Sequence, residues 1–163
     1  MMLKSILQKL QKAQPIELLS LHIPKTAGTS FYRTLQSVYG VRGVGRFELI
    51  KEKPFYNSEP FDRNRVESDI RVIHGHFTPP SVERYFGGLD APMITWVRNP
   101  VDRVLSNYFY LKKILSSIVN EEQNNLHILE KLERTLLEFA HAEINRNRMA
   151  KFIDGMALDD FFF

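Results

Sequence analysis

Apolar positions along the chain fall into short unbroken runs and longer periodic stripes. Ile16 to Ile23 is nearly all apolar and closes at Pro24, a pattern that predicts a strand buried on both faces, as in a parallel sheet. Met93 to Val97 repeats it and ends in Arg98-Asn99-Pro100, while Asp69 to Ile73 is a shorter strand candidate running into "HGHFTPP", His74 to Pro80. Helical spacing marks Ser30 to Tyr39, through Phe31, Leu35 and Val38, with Gly40 to end it. Val101, Val104, Leu105, Tyr108, Leu111 and Leu115 line one side of a long helix to about Val119. Its start is well specified, with Asn99 as cap, Pro100 at the first helical position and Asp102 in the first turn. A third helix is predicted over Leu126 to Ile144, where Leu129, Leu132, Leu136, Ala140 and Ile144 form a core-packing stripe. At the start of the chain Leu3, Ile6, Leu7 and Leu10 predict a short helix docked on its own domain. Val41 to Val66, interrupted by Gly and Pro, reads as a long connection with at most a short strand near Phe47 to Ile50. Strands alternating with helices imply an α/β fold, with a mostly parallel central sheet flanked by helices. Its ligand site is expected beyond the carboxyl ends of the strands.

At 163 residues the chain suits a single domain, and its 44% hydrophobic and 25% charged content is ordinary for a globular protein. A net charge of +3 favours anionic ligands but lacks the dense Lys/Arg stripe of a nucleic-acid binder, so no nucleic-acid partner is expected. The absence of cysteine excludes disulfides, thiolate metal sites and cysteine nucleophiles, which fits a reducing compartment and makes a cytoplasmic location the default expectation. No apolar stretch approaches the ~20 residues of a bilayer span, so no integral membrane segment is expected.

Three loops, each following a predicted strand, carry the chemistry. In "HIPKTAGTS", His22 to Ser30, a strand hands over to a helix whose N–H groups and dipole can converge on an anion. Lys25 adds a positive charge, Thr26, Thr29 and Ser30 add hydroxyls, and Gly28 permits close backbone approach beside Ala27. The same residues also suit an ordinary strand-to-helix turn with hydroxyl caps. The nucleoside triphosphate pattern G-x-x-x-x-G-K-[ST] is absent, which disfavours a kinase or GTPase of the usual kind. In "VRNPVDRVLSNYFYLKK", Val97 to Lys113, Arg98 can grip phosphate oxygens through two N–H groups, and Ser106 follows on the next helix. The pair His74 and His76 suits three roles: a general base for a hydroxyl, a shared metal ion, or structure alone. The other histidines, His22, His127 and His141, are expected to stand in unrelated elements.

The order Pro-Lys-Thr-Ala-Gly-Thr-Ser at residues 24 to 30 resembles the 5′-phosphosulfate loop of sulfotransferases that use 3′-phosphoadenosine 5′-phosphosulfate, PAPS. It is most similar to the carbohydrate branch that includes heparan sulfate 2-O-sulfotransferase. Val97 to Lys113 resembles that family's 3′-phosphate segment, and His74-Gly75-His76 matches its paired histidines. The resemblance spans about Leu18 to Lys113 and weakens at "NRMAKFIDG", Asn147 to Gly155, where Met149 and Lys151 replace a glutamine and an arginine.

The resemblance implies a P-loop-like sulfotransferase fold over 1–163, with a nucleotide-binding core at 15–113 and a C-terminal helical part at 120–163. It implies that Lys25, Thr26, Ala27, Gly28, Thr29 and Ser30 bind the 5′ end of PAPS, and that Arg98 and Ser106 hold the 3′-phosphate. His76 is then the base, His74 its helper and Lys25 the stabiliser of the leaving group, with no metal required. The product would be 3′-phosphoadenosine 5′-phosphate, and the acceptor a hydroxyl-bearing partner of glycan type. Three terminal phenylalanines, Phe161 to Phe163, still need burial, which a longer chain, a partner subunit or a homo-oligomer would supply. The alternatives are a noncatalytic module binding the nucleotide or a sulfated glycan, and a small-molecule kinase. The kinase would need magnesium-holding carboxylates near these loops.

Overall fold

Leu18–Leu21, the middle of the first apolar run, forms strand β1 within a six-stranded sheet. The computed structural model describes residues 16–50, 52–87, 90–121 and 133–155. β1 is followed by helix α1 (Gly28–Tyr39), β2 (Val44–Ile50), β3 (Lys53–Tyr56), β4 (Glu59–Pro60) and β5 (Val72–Gly75). Helix α2 (Pro79–Phe86), β6 (Met93–Thr95) and α3 (Pro100–Glu121) come next. Two short helices, α4 (Leu136–His141) and α5 (Arg148–Asp154), end the described chain. The strand order is β4-β3-β2-β5-β1-β6.

The sheet is mixed. β2, β5, β1 and β6 are parallel, whereas β3 and β4 add an antiparallel edge. Val41 to Val66 is therefore not a long connection but a parallel strand followed by a meander. In β2 the sequence alternates, with Phe47 turned into the core and Arg46 on the opposite side, so it lacks the continuous apolar run of β1. Asn57 (φ 49°) and Ser58 (φ 71°) form a two-residue turn with both residues left-handed, matching the twist of the hairpin between β3 and β4. Asn57 suits such a turn, and its side-chain oxygen accepts from Arg46 N at 2.9 Å.

Alternation within the strands sends residues to two cores. Leu18, Val72 and Val44 pair in one row, and Val44 and Val72 pack with Leu35 of α1. The other face gathers Leu19, Leu21, Phe47 and Ile73 with Val82 and Phe86 of α2 and Phe152 of α5. Phe47 is its centre, meeting Phe86 edge-on at 4.9 Å. α2 was not foreseen, because "TPPSVERYF" has little apolar periodicity; Pro79 opens it, and the Thr78 N–H is held by Ser81 Oγ at 3.0 Å.

α3 begins as expected, with Asn99 Oδ1 accepting from Val101 N (3.0 Å) and Asp102 N (3.3 Å). Its burial is unexpected: Arg103 is 2% exposed, while Val101 from the predicted apolar stripe is 66% exposed. The reason is the C-terminal segment, whose Asn145 carbonyl accepts from Arg103 Nη2 at 3.4 Å. Nor does one helix run over Leu126 to Ile144. The described part breaks at Arg134, and Thr135 caps a new start by accepting from Glu138 N at 3.2 Å. Leu129 and Leu132 lie outside the described residues, as do the predicted N-terminal helix and the terminal phenylalanines. No helix among the described residues is long and apolar enough to cross a membrane.

Candidate functional site

Strand register brings the three loops to one edge. Leu21 stands opposite both Gly75 and Thr95, so the chain leaves β1, β5 and β6 at the same level, with His22, His76 and Trp96 as the next residues. This is the carboxyl edge, where parallel α/β sheets place ligands.

The turn after β1 is unusual in its backbone. Lys25 and Ala27 both have φ 70°, a left-handed conformation costly for residues with a Cβ, and Ala27 caps α1 without any side-chain hydrogen bond. Helices α3 and α4 begin with Asn99 and Thr135 accepting from first-turn amides, whereas the first amides of α1 meet no side-chain cap. Thr29 and Ser30 are exposed in its first turn, and Lys25 is half-buried. Thr26 is different: its hydroxyl is buried and donates to the Ile23 carbonyl at 2.8 Å, so its proton serves the turn itself.

Across from this turn, Arg98 reaches back from the loop after β6, and its Nη1 donates to the Lys25 carbonyl at 3.5 Å. Beside this contact is a cleft of about 480 Å3 lined by Thr26, Ala27, Ser30, Phe31, Thr34, Trp96, Val97 and Arg98. Trp96 is 51% exposed and meets Phe31 edge-on at 5.1 Å, giving the cleft an aromatic wall. Ser106 is half-buried on α3 and outside that lining, but it lies one turn before Tyr110, whose ring contacts Lys25 Nζ at 3.7 Å from the centroid. Burial first, and then the charge of Arg98, hold the Lys25 ammonium below the usual lysine range.

The histidines lie on the other flank of the α1 N-terminus. His74 and His76 are both buried, and His22, expected in an unrelated element, joins them. The His22 ring stacks on His76 at 4.3 Å and on His74 at 5.3 Å. The His22 carbonyl accepts from His76 Nδ1 at 2.6 Å, which leaves the lone pair on Nε2. Ser20 Oγ bonds His74 Nδ1 at 2.9 Å. Gly28 makes the arrangement feasible, since a Cβ there would overlap the His22 ring. Burial pushes His22 and His74 down to about 3 and His76 to about 4, so all three are neutral near pH 7. Among the described residues no three His, Asp or Glu side chains are grouped to hold a metal ion.

Two further residues belong to this patch. Arg46 stands opposite His74 in the strand register and holds the buried Glu48 carboxylate through Nε at 3.0 Å and Nη2 at 2.6 Å. The alternation of "RFELI" was the available signal. Thus Ala27, Ser30 and Arg98 line the cleft with Lys25 in the same turn outside its lining, while His22, His74 and His76 with Arg46 and Glu48 form the adjoining patch.

No family model, curated protein or solved structure matches this chain.

Proposed function

We propose that the protein is a sulfotransferase that moves a sulfuryl group from 3′-phosphoadenosine 5′-phosphosulfate to a hydroxyl, on an acceptor of carbohydrate type. One observation carries the reading: Arg98 reaches the uncapped lysine turn, its Nη1 3.5 Å from the Lys25 carbonyl, beside a cleft of about 480 Å3 that Arg98 and the turn both line. Two cationic side chains from different loops, with uncapped amides beside one of them, suit a ligand with two separate phosphates. In this reading the first amides of α1, with Thr29 and Ser30, bind the 5′-phosphate, and Arg98 with Ser106 binds the 3′-phosphate. The acceptor oxygen forms its bond to sulfur as the bond from sulfur to the 5′-phosphate oxygen breaks. The acceptor proton passes to His76 Nε2, and Lys25 neutralises charge on the departing phosphate.

Titration calorimetry with 3′-phosphoadenosine 5′-phosphate against ATP tests the site. Tighter binding of the bisphosphate supports it; equal affinity, or no binding, overturns it. Labelled PAPS offered with glycan, phenol and lipid acceptors then tests transfer.

A second reading, a noncatalytic nucleotide- or glycan-binding module, is favoured by the burial of His76, which is 6% exposed beside the His22 ring. His76→Ala separates the two: loss of transfer with retained nucleotide affinity belongs to the enzyme.

A further inference from the structure

The lysine turn meets α3 through a contact that the loop motifs do not announce. Lys25 Nζ lies 3.7 Å from the centroid of the Tyr110 ring, over its face. Among the described residues neither Lys25 nor Arg98 has a carboxylate within ion-pair distance, so the ring's negative face is what the ammonium finds. The Lys25 backbone is fixed in its left-handed turn by its neighbours, with the carbonyl held by Arg98. Repositioning the ammonium therefore requires only side-chain rotation. Tyr110 is 44% exposed, so the contact is near the surface and modest in strength.

We propose that Tyr110 is a positioning residue for Lys25: in the ligand-free protein its ring holds the ammonium beside the anion turn, and it yields the ammonium to an incoming phosphate ester. The magnitudes give the direction. A partly exposed cation–π contact is worth about 2–5-fold in an equilibrium, whereas a charge-assisted hydrogen bond to phosphate is worth about 10–150-fold. The anion therefore wins, and the ring costs the site a few-fold in affinity while keeping the side chain ordered. Arg98 adds a second positive charge near Lys25, so the field at the turn favours an incoming anion. The inference rests on reading the turn as a phosphate site, though not on the adenosine or the sulfuryl group.

The test uses the full chain with its lysines carbon-13 dimethylated, which preserves their charge, and Lys25→Arg to assign the Lys25 resonance. Expected in the free protein is an upfield ring-current shift that Tyr110→Phe keeps and Tyr110→Leu abolishes. Pyrophosphate and 3′-phosphoadenosine 5′-phosphate should each abolish the shift in the parent, and Tyr110→Leu should bind either about 2–5-fold more tightly. A Lys25 resonance that stays ring-shifted at saturating anion, or that ignores Tyr110→Leu, overturns the inference, as does weaker binding by Tyr110→Leu. If pyrophosphate releases Lys25 but the nucleotide binds no better, the sulfotransferase reading fails and the inference stands. If the nucleotide binds with Lys25 still on the ring, the opposite holds. Absence of binding by both anions overturns both.

Discussion

His76 donates its Nδ1–H to the carbonyl of His22 at 2.6 Å while the two rings stack at 4.3 Å. One residue thus sets the tautomer of its neighbour through the backbone and covers its ring with the side chain. The tautomer so fixed keeps the lone pair of His76 on Nε2.

The histidine cluster makes stability depend on pH. An unfolded histidine titrates near ~6.5, whereas burial holds His22 and His74 at about 3 and His76 at about 4. As pH falls the unfolded chain takes up protons first. The contribution of the neutral cluster is therefore complete above the unfolded value and is lost as pH falls from there toward the folded values. Each histidine adds at most ~1.4 kcal/mol per pH unit to the slope. Urea unfolding between pH 7.5 and 5 should show a fall in stability, and His74→Asn and His76→Asn should each flatten it by about one proton. A stability that is level across this range would mean that the rings are solvated.

Catalysis should share this displacement. For a PAPS-dependent transfer with His76 as base, the acid limb of kcat/KM reports the free protein and should fall near 4 rather than at the ordinary histidine value. A limb at 6 to 7 would assign the proton to another group.

Gly28→Ala sets two effects against each other. Alanine at this first helical position should favour the helix by less than the ~1 kcal/mol of an interior site, but its Cβ would overlap the His22 ring, which already stacks on His76. Overpacking of this kind costs about 1–3 kcal/mol, so the single variant should be destabilised on balance. In a His22→Ala background the overlap is gone, and Gly28→Ala should be neutral or stabilising. Denaturant midpoints of the four proteins check the coupling.

Arg98→Ala should weaken 3′-phosphoadenosine 5′-phosphate binding about 10–150-fold, the worth of a charge-assisted hydrogen bond. Arg98 is exposed, so the folded stability should hardly change. Arg98→Lys should recover part of the loss, since it restores the charge but not the two-pronged donor geometry. Calorimetry with thermal unfolding as the control separates binding from folding. Intact binding by Arg98→Ala would remove Arg98 from the site.

The strand-to-helix handovers were legible because they are written locally. Pro24 after an apolar run, and Asn99-Pro100-x-Asp102 before a periodic one, specify their boundaries whatever packs around them. Only part of β2 was legible, as a short strand near Phe47 to Ile50, because Arg46 and Glu48 interrupt the apolar run although Phe47 is fully buried. The long helix expected over Leu126 to Ile144 failed for a related reason. Leucine spacing persists through Thr135, but Thr135 and Glu138 cap each other's backbone and start a new helix there.

By itself the sequence determined which loops could bind an anion, because a lysine turn before a helix and an arginine before another are local facts. Only the tertiary structure decided which side chains meet. His22 reaches His76, and Arg98 reaches Lys25, because β1 is registered against β5 on one side and β6 on the other. That register follows from burying two apolar faces at once, a property of the whole sheet rather than of any single loop.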